Sequence, residues 1–280
     1  MHTLRDLLND ASERLHDVTE QPLLDAQVLM CHVLGRERSW LYAWPEHTLE
    51  GTQVARFEQL IVQRAAGHPV AYLTGRREFW SLPLKVSEHT LIPRPETEHL
   101  VEITGELGLP AAANVLDLGT GSGAIALALA SEHPDWQVSA CDCSDAALAI
   151  ARVNAAAFGL GRVTFVRSDW FAAIADDARF ELIVSNPPYI AASDPHLVRG
   201  DVRFEPRQAL VSGTDGLDDI RRIAADAPRF LRPGGWLWLE HGYQQAEGVA
   251  ALLHGQGFVD VDSHSDLAGH ARHTGGRKKG

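Results

Sequence analysis

Four consecutive residues, Asn186-Pro187-Pro188-Tyr189, follow an apolar run over 180–185 that reads as a buried strand. An amide, two rigid prolines and an aromatic ring therefore stand at a strand's carboxyl end, where open α/β sheets bind ligands. Together they are suited to holding a planar, weakly nucleophilic NH2 group while something is transferred to it. The nitrogen lone pair of such a group is delocalised, so the nitrogen must pyramidalise as it attacks. Acceptors around its two protons favour that change. The side-chain oxygen of Asn186 is one acceptor. The carbonyl of Pro187 is the natural second, held in place because the prolines restrict φ. Tyr189 can stack on the flat group. No strong base is required, and positioning can supply about 7–11 kcal/mol in well-aligned cases. Taken alone, the tetrapeptide also fits an ordinary proline turn.

Upstream, Val115 to Ala124 reads as a strand, a glycine loop (Asp117-Leu118-Gly119-Thr120-Gly121-Ser122-Gly123) and a helix start. Gly119 and Gly121 permit a tight turn and close backbone approach to a ligand. The helix behind them offers free N–H groups. Asp142 ends the next strand, where a carboxylate can accept both hydroxyls of a ribose. The loop alone fits a dinucleotide as well as an adenosine-based methyl donor. Asp117 tilts it towards S-adenosylmethionine, whose amino group and sulfonium are cationic; a pyrophosphate would be repelled there. In Ser168-Asp169-Trp170, an acid can meet the adenine amino group while Trp170 covers the ring. A core tryptophan is the plainer alternative. Loop, acid-ended strand and Asn-Pro-Pro-Tyr in register point to methyl transfer onto an amino group.

The elements that must position these residues are legible in outline. Apolar spacing predicts helices in the first 75 residues, with Pro22 opening one, Gly35 closing it and Thr52 capping another. Residues 76–98 read as a β-hairpin and linker, with prolines fixing entry to a helix. From 99 to 280, strand and helix patterns alternate, which means a parallel sheet covered on both faces. The expected architecture is thus α/β: a small all-α bundle (1–75), a hairpin, then a Rossmann-like domain (99–280). Two glycines, Gly275 and Gly276, predict a short or frayed last strand. Arg277, Lys278 and Lys279 then read as a solvated tail.

The 280 residues carry a formal charge of −12, which argues against broad binding to a phosphate backbone. The three cysteines, Cys31, Cys141 and Cys143, form no Cys-x-x-Cys pair. They read as core thiols in a reducing compartment, without structural metal. The opening Met1-His2-Thr3-Leu4-Arg5-Asp6 shows no leader pattern, and no apolar run is long enough for a membrane span. A cytoplasmic monomer without membrane or direct nucleic-acid binding is expected.

Beyond these readings, the chain resembles the bacterial release factor glutamine methyltransferases almost end to end. The resemblance rests on 67–72 (Gly-His-Pro-Val-Ala-Tyr), 77–80 (Arg-Glu-Phe-Trp), 91–98 (Leu-Ile-Pro-Arg-Pro-Glu-Thr-Glu), the glycine loop and 186–189. It continues through 200–206 (Gly-Asp-Val-Arg-Phe-Glu-Pro) and 239–242 (Leu-Glu-His-Gly). The tetrapeptide is shared with adenine DNA methyltransferases, whereas the 92–98 segment and the helical start are more specific. The resemblance implies a class I S-adenosylmethionine-dependent methyltransferase fold. It implies methylation of the side-chain amide of the glutamine in the Gly-Gly-Gln motif of class 1 peptide chain release factors. It further implies cofactor contacts from Asp117, Gly119, Thr120, Gly121, Ser122, Gly123, Asp142, Trp170 and Asn186. Asn186, Pro187, Pro188 and Tyr189 would hold the glutamine, with Asn186, Pro187 and Tyr189 catalytic. The bundle would dock the release factor, and Arg94 with its prolines would wall the pocket.

The alternatives are a glutamine methyltransferase of a large-subunit ribosomal protein, an adenine N6 methyltransferase on nucleic acid, a silent binding module and a nicotinamide oxidoreductase. The 93–96 segment favours the release factor. An adenine enzyme usually needs a basic channel to take a base from the stack, which the acidic balance disfavours. A nicotinamide enzyme leaves Asn186 to Tyr189 unexplained.

Overall fold

A computed structural model describes residues 3–280; Met1 and His2, part of the stretch read for a leader, lie outside it. The chain divides into two compact units. One holds the residues up to Arg76 together with Pro195–Phe204, and the other holds Arg77–Asp194 and Glu205–Gly280.

The first unit is helical: α1 (Leu4–Leu15), α2 (Pro22–Leu34), α3 (Arg38–Ala43), α4 (Gly51–Ala65) and α5 (Val70–Thr74). Thr3 and Asp6 close a capping box on α1, and Gly35 ends α2 in the left-handed conformation. Glu50, not Thr52, caps α4, in a reciprocal pair with Gln53; the helix starts two residues earlier than a Thr52 cap allows. Leu4, Leu15, Leu29, Met30, Phe57 and Ile61 form its core. The ten residues 195–204 are short 3-10 turns tied to α4. Arg64, almost fully buried, donates to Asp25 (2.8 Å) and Asp201 (2.7 Å). Gly67 leaves room for Arg203, whose guanidinium reaches the Ala66 carbonyl.

The second unit opens with a hairpin, β1 (Arg76–Phe79) and β2 (Leu82–Lys85), turned by Trp80 and Ser81 at positive φ. Next come α6 (Pro95–Gly105), β3 (Asn114–Leu118), α7 (Ala124–Glu132), β4 (Gln137–Asp142), α8 (Asp145–Ala157), β5 (Thr164–Arg167) and β6 (Phe180–Ser185). The chain continues with α9 (Asp218–Phe230), β7 (Leu231–Glu240), α10 (Ala246–Gly255), β8 (Phe258–Ser265) and β9 (Ala271–Lys278). The seven-stranded sheet has the order β5-β4-β3-β6-β7-β9-β8. Only the pairings of β9 with β7 and β8 are antiparallel.

Strand periodicity divides the core between two faces. Val115, Leu182 and Val184 join one cluster with Leu100, Leu127 and Leu129. Leu116, Leu118 and Ile183 join the other with Ile220, Phe230 and Leu253.

The chain end departs from the frayed strand and solvated tail that its glycines predict. β9 is eight residues long and paired on both sides. A side chain at Gly275 would sit 2.2 Å from the Trp238 indole, so glycine is what lets that ring lie flat on the strand. Arg277 and Lys278 lie within the strand: Arg277 pairs with Asp260, and the Lys278 ammonium donates to the carbonyls of Pro228 and Leu231.

The cysteines also differ from an all-core reading. Cys141 is buried and Cys31 half-buried, but Cys143 is exposed, because β4 ends at Asp142 and the strand alternation stops there. Among the described residues no helix is long and apolar enough to cross a membrane, and no group of three or more His, Cys, Asp or Glu could hold a metal ion.

Candidate active site

Parallel register sets the site. Leu118 is paired with Cys141 and with Ser185, and Ser185 with Leu239. The residues that follow these partners are Gly119, Asp142, Asn186 and Glu240. They form one row across the carboxyl ends of four neighbouring strands, where the chain leaves the sheet and side chains are free to meet a ligand. The Ser185 hydroxyl donates to the Leu118 carbonyl (2.7 Å) and pins β6 to β3 at that row.

The glycine loop is shaped by backbone. Gly119 N–H and Thr120 N–H both donate to the Cys141 carbonyl (2.9 Å each). Gly119, Gly121 and Gly123 all have positive φ, and nothing lies within 4 Å of a Cβ placed on Gly121. Gly121 N–H donates to Asp142 Oδ2 (2.9 Å) and Ser144 N–H to Oδ1 (2.9 Å). Burial raises the Asp142 pKa above the usual carboxylate range, against the pull of these N–H donors. From α8, Asn154 ties the loop to the hairpin through the Ser122 carbonyl and the backbone of Lys85.

Asp117 is fully buried beneath the loop. Its Oδ2 accepts from Thr120 Oγ1 (2.6 Å) and Ala126 N–H (3.2 Å). Oδ1 has no hydrogen-bond partner. Burial pushes this carboxyl up to about 7, although Thr120 and Ala126 lower it. An unpartnered buried carboxylate oxygen suits a cationic donor.

Trp170 closes this side. Its φ of 49° is strained for a bulky residue, at about 1–3 kcal/mol. The Ser168 hydroxyl (2.7 Å) and Cys141 thiol (3.4 Å) donate to its carbonyl, and its indole N–H donates to Asp219 (3.0 Å). Three hydrogen bonds at about 1 kcal/mol each offset a strain of that size. The ring lies 3.2 Å from where a Gly119 Cβ would be.

One cavity is lined by Gly119, Gly121, Asp142, Trp170, Asn186 and Pro188 among the residues singled out in sequence. Asp117, Thr120, Ser122, Gly123, Pro187 and Tyr189 do not line it. The first four shape or underpin the loop. Pro187 is buried. Tyr189 donates its hydroxyl to Glu240 Oε1 (3.2 Å); burial and the Glu240 charge raise its pKa, so it stays protonated. Arg94 does not wall the cavity either. It pairs with Glu205, whose other oxygen accepts Ile92 N–H (3.0 Å), and Leu91 lines the cavity instead.

Thr97 and Glu240 are the residues that pattern reading passes over. Asn186 Nδ2 donates to Thr97 Oγ1 (3.1 Å), and Thr97 Oγ1 lies 2.7 Å from Glu240 Oε2. Both belong to segments that carry the family resemblance, yet nothing local in the sequence shows that they meet.

Residues 6–75 match the PrmC N-terminal domain family, and residues 97–201 match the Methyltransferase small domain family. The release factor glutamine methyltransferase of Vibrio cholerae serotype O1 is 50% identical over 278 residues, covering 99% of this chain and 97% of that one. That of Xylella fastidiosa strain Temecula1 is 52% identical over 275 residues, covering 98% of each. A crystal structure of a methyltransferase from Pyrococcus furiosus shares the fold at a TM-score of 0.54 and 18% identity, covering 79% of this chain and 98% of that chain. With half of its residues identical to such relatives along nearly its whole length, and with a match to a methyltransferase domain model, the chain belongs to the release factor glutamine methyltransferase family and is a protein-glutamine methyltransferase.

Proposed function

We propose that the enzyme transfers the methyl group of S-adenosylmethionine to the side-chain amide nitrogen of the glutamine in the Gly-Gly-Gln motif of class 1 peptide chain release factors. The observation that carries this reading is a single cavity joining the glycine loop and Asp142 to Asn186 and Pro188. The residues that line the cavity fit the donor: Asp142 for ribose hydroxyls and Trp170 beside the adenine, with Asp117 buried beneath the glycine loop and acting on the donor only through that loop and its charge. S-adenosylmethionine, when bound, supplies an electrophilic methyl on a sulfonium.

The chain's own part is acceptor chemistry. The Asn186 side-chain oxygen and the Pro187 carbonyl accept the two amide protons of the glutamine, which favours a pyramidal nitrogen with its lone pair free. Pro187 and Pro188 keep that carbonyl fixed by limiting φ. No side-chain base is needed, because the nitrogen becomes acidic once it is alkylated. Closing the cavity over the acceptor excludes water, which favours a transition state that loses charge.

The helical unit docks the release factor in this reading. Trp44 is 59% exposed and Tyr42 65% exposed, a costly display unless a protein covers them. Trp44→Ser is expected to raise KM for an intact release factor and leave a short Gly-Gly-Gln peptide unaffected. Equal KM changes for both would remove the docking role. The reaction itself is tested by incubating protein, S-adenosylmethionine and an unmethylated class 1 release factor, then digesting for mass spectrometry. One added methyl on the Gly-Gly-Gln glutamine is expected. A bound cofactor with no methyl there would send the assignment to other glutamine-bearing proteins.

A further inference from the structure

We infer that Thr97 and Glu240 are positioning residues that fix which end of the Asn186 amide faces the acceptor, an inference that rests on the reaction proposed above. Glu240 is 1% exposed and receives a hydroxyl on each oxygen, Thr97 on Oε2 (2.7 Å) and Tyr189 on Oε1 (3.2 Å). His273 Nε2 is 3.7 Å from Oε2, beyond hydrogen-bond length. A carboxylate only accepts, so both hydroxyl protons point at Glu240. The Thr97 oxygen is left with lone pairs alone for its other neighbour, Asn186 (3.1 Å). That neighbour must therefore present its NH2.

The opposite amide orientation would set the Asn186 oxygen against a Thr97 oxygen whose proton is already committed, two acceptors in contact. The chain Glu240 ← Thr97 ← Asn186 thus turns the amide oxygen away from Thr97, where it can accept from the substrate. Tyr189 is held by the same carboxylate. One buried group sets the orientation of both ends of the Asn-Pro-Pro-Tyr segment. A flipped amide would offer the substrate NH2 a donor where an acceptor is needed, which opposes pyramidalisation of the nitrogen.

The test compares Thr97→Val, which keeps shape and loses the hydroxyl, with Thr97→Ser, which keeps the hydroxyl. Thr97→Val is expected to lower kcat by about tenfold to a hundredfold, as for a small misplacement at a reacting centre. KM for the release factor and calorimetric affinity for S-adenosylmethionine should hold, and Thr97→Ser should restore kcat. Glu240→Gln, which can donate as well as accept and so no longer dictates polarity, should lower kcat in the same way. A second readout is independent of turnover. In protein labelled with 15N-asparagine, the Asn186 side-chain amide, identified by its absence in Asn186→Asp, should exchange slowly in wild type and Thr97→Ser and quickly in Thr97→Val. Equal kcat for the valine and serine variants, wild-type kcat in Glu240→Gln, or an amide signal unchanged in Thr97→Val would each overturn the inference. Wild-type protein that adds no methyl to the factor would sink the reaction, while the amide signal still decides the orientation.

Discussion

The two walls of the cavity are built on different principles. The wall we assign to the cofactor is built from nearby chain: Gly121 N–H meets a carboxylate 21 residues away, and the Thr120 hydroxyl meets Asp117 three residues away. The wall we assign to the acceptor is made of side chains from distant segments. Asn186 meets Thr97 across 89 residues, and Thr97 meets Glu240 across 143. The first wall tolerates many nearby sequences provided glycine supplies the turn. The second depends on particular oxygens and protons in particular places, so damage to it should fall on turnover and damage to the first on affinity.

The largest effect should come from Asn186→Ala. Losing one preorganised polar group that acts on developing charge costs about 10²–10³ in kcat in comparable sites. S-adenosylmethionine affinity, measured by calorimetry, should change far less. If affinity fell as much as kcat, the separation between the walls would be lost. Asp142→Ala should do the reverse and weaken S-adenosylmethionine by about tenfold to a hundredfold, the worth of a hydrogen bond to a charged group. Saturating cofactor should then return kcat close to wild type. Affinity that stays unchanged would remove Asp142 from the cofactor wall.

The smallest effect concerns Asp117 and is read in stability. Its folded-state carboxyl titrates at about 7 rather than the ordinary 3.8, so between these values the folded chain keeps a proton that the unfolded chain has lost. Folding stability should therefore fall as pH rises across that window and level off above it. Asp117→Asn should flatten the fall in thermal melts at pH 4.5 to 8 while weakening the cofactor. A slope unchanged in the variant would show that the carboxyl titrates elsewhere.

The same contrast explains what could be read from the sequence. The glycine loop, Asp142 and the strand before Asn186 were legible because each depends on spacing and residue type within one supersecondary unit. Helix ends at Gly35 and Pro22 were legible for the same reason. Thr97 and Glu240 were not, because strand order and register decide that residue 240 sits beside residue 186. For Tyr189 the sequence does not disclose the buried carboxylate that takes its hydroxyl. Gly275 looked like a strand breaker until Trp238 supplied the ring that needs its missing side chain.

The place of β9 carries a consequence for how the molecule is made. It follows β8 in the chain yet lies between β7 and β8 in the sheet. During synthesis β7 emerges with an open edge, and β8 has no strand to pair with until β9 arrives. Assembly order at this edge thus runs against chain order. A nascent chain carries an unpaired, apolar strand edge through that interval, the condition under which strands find partners in other chains. Chaperone demand and aggregation of truncated products should concentrate at this edge.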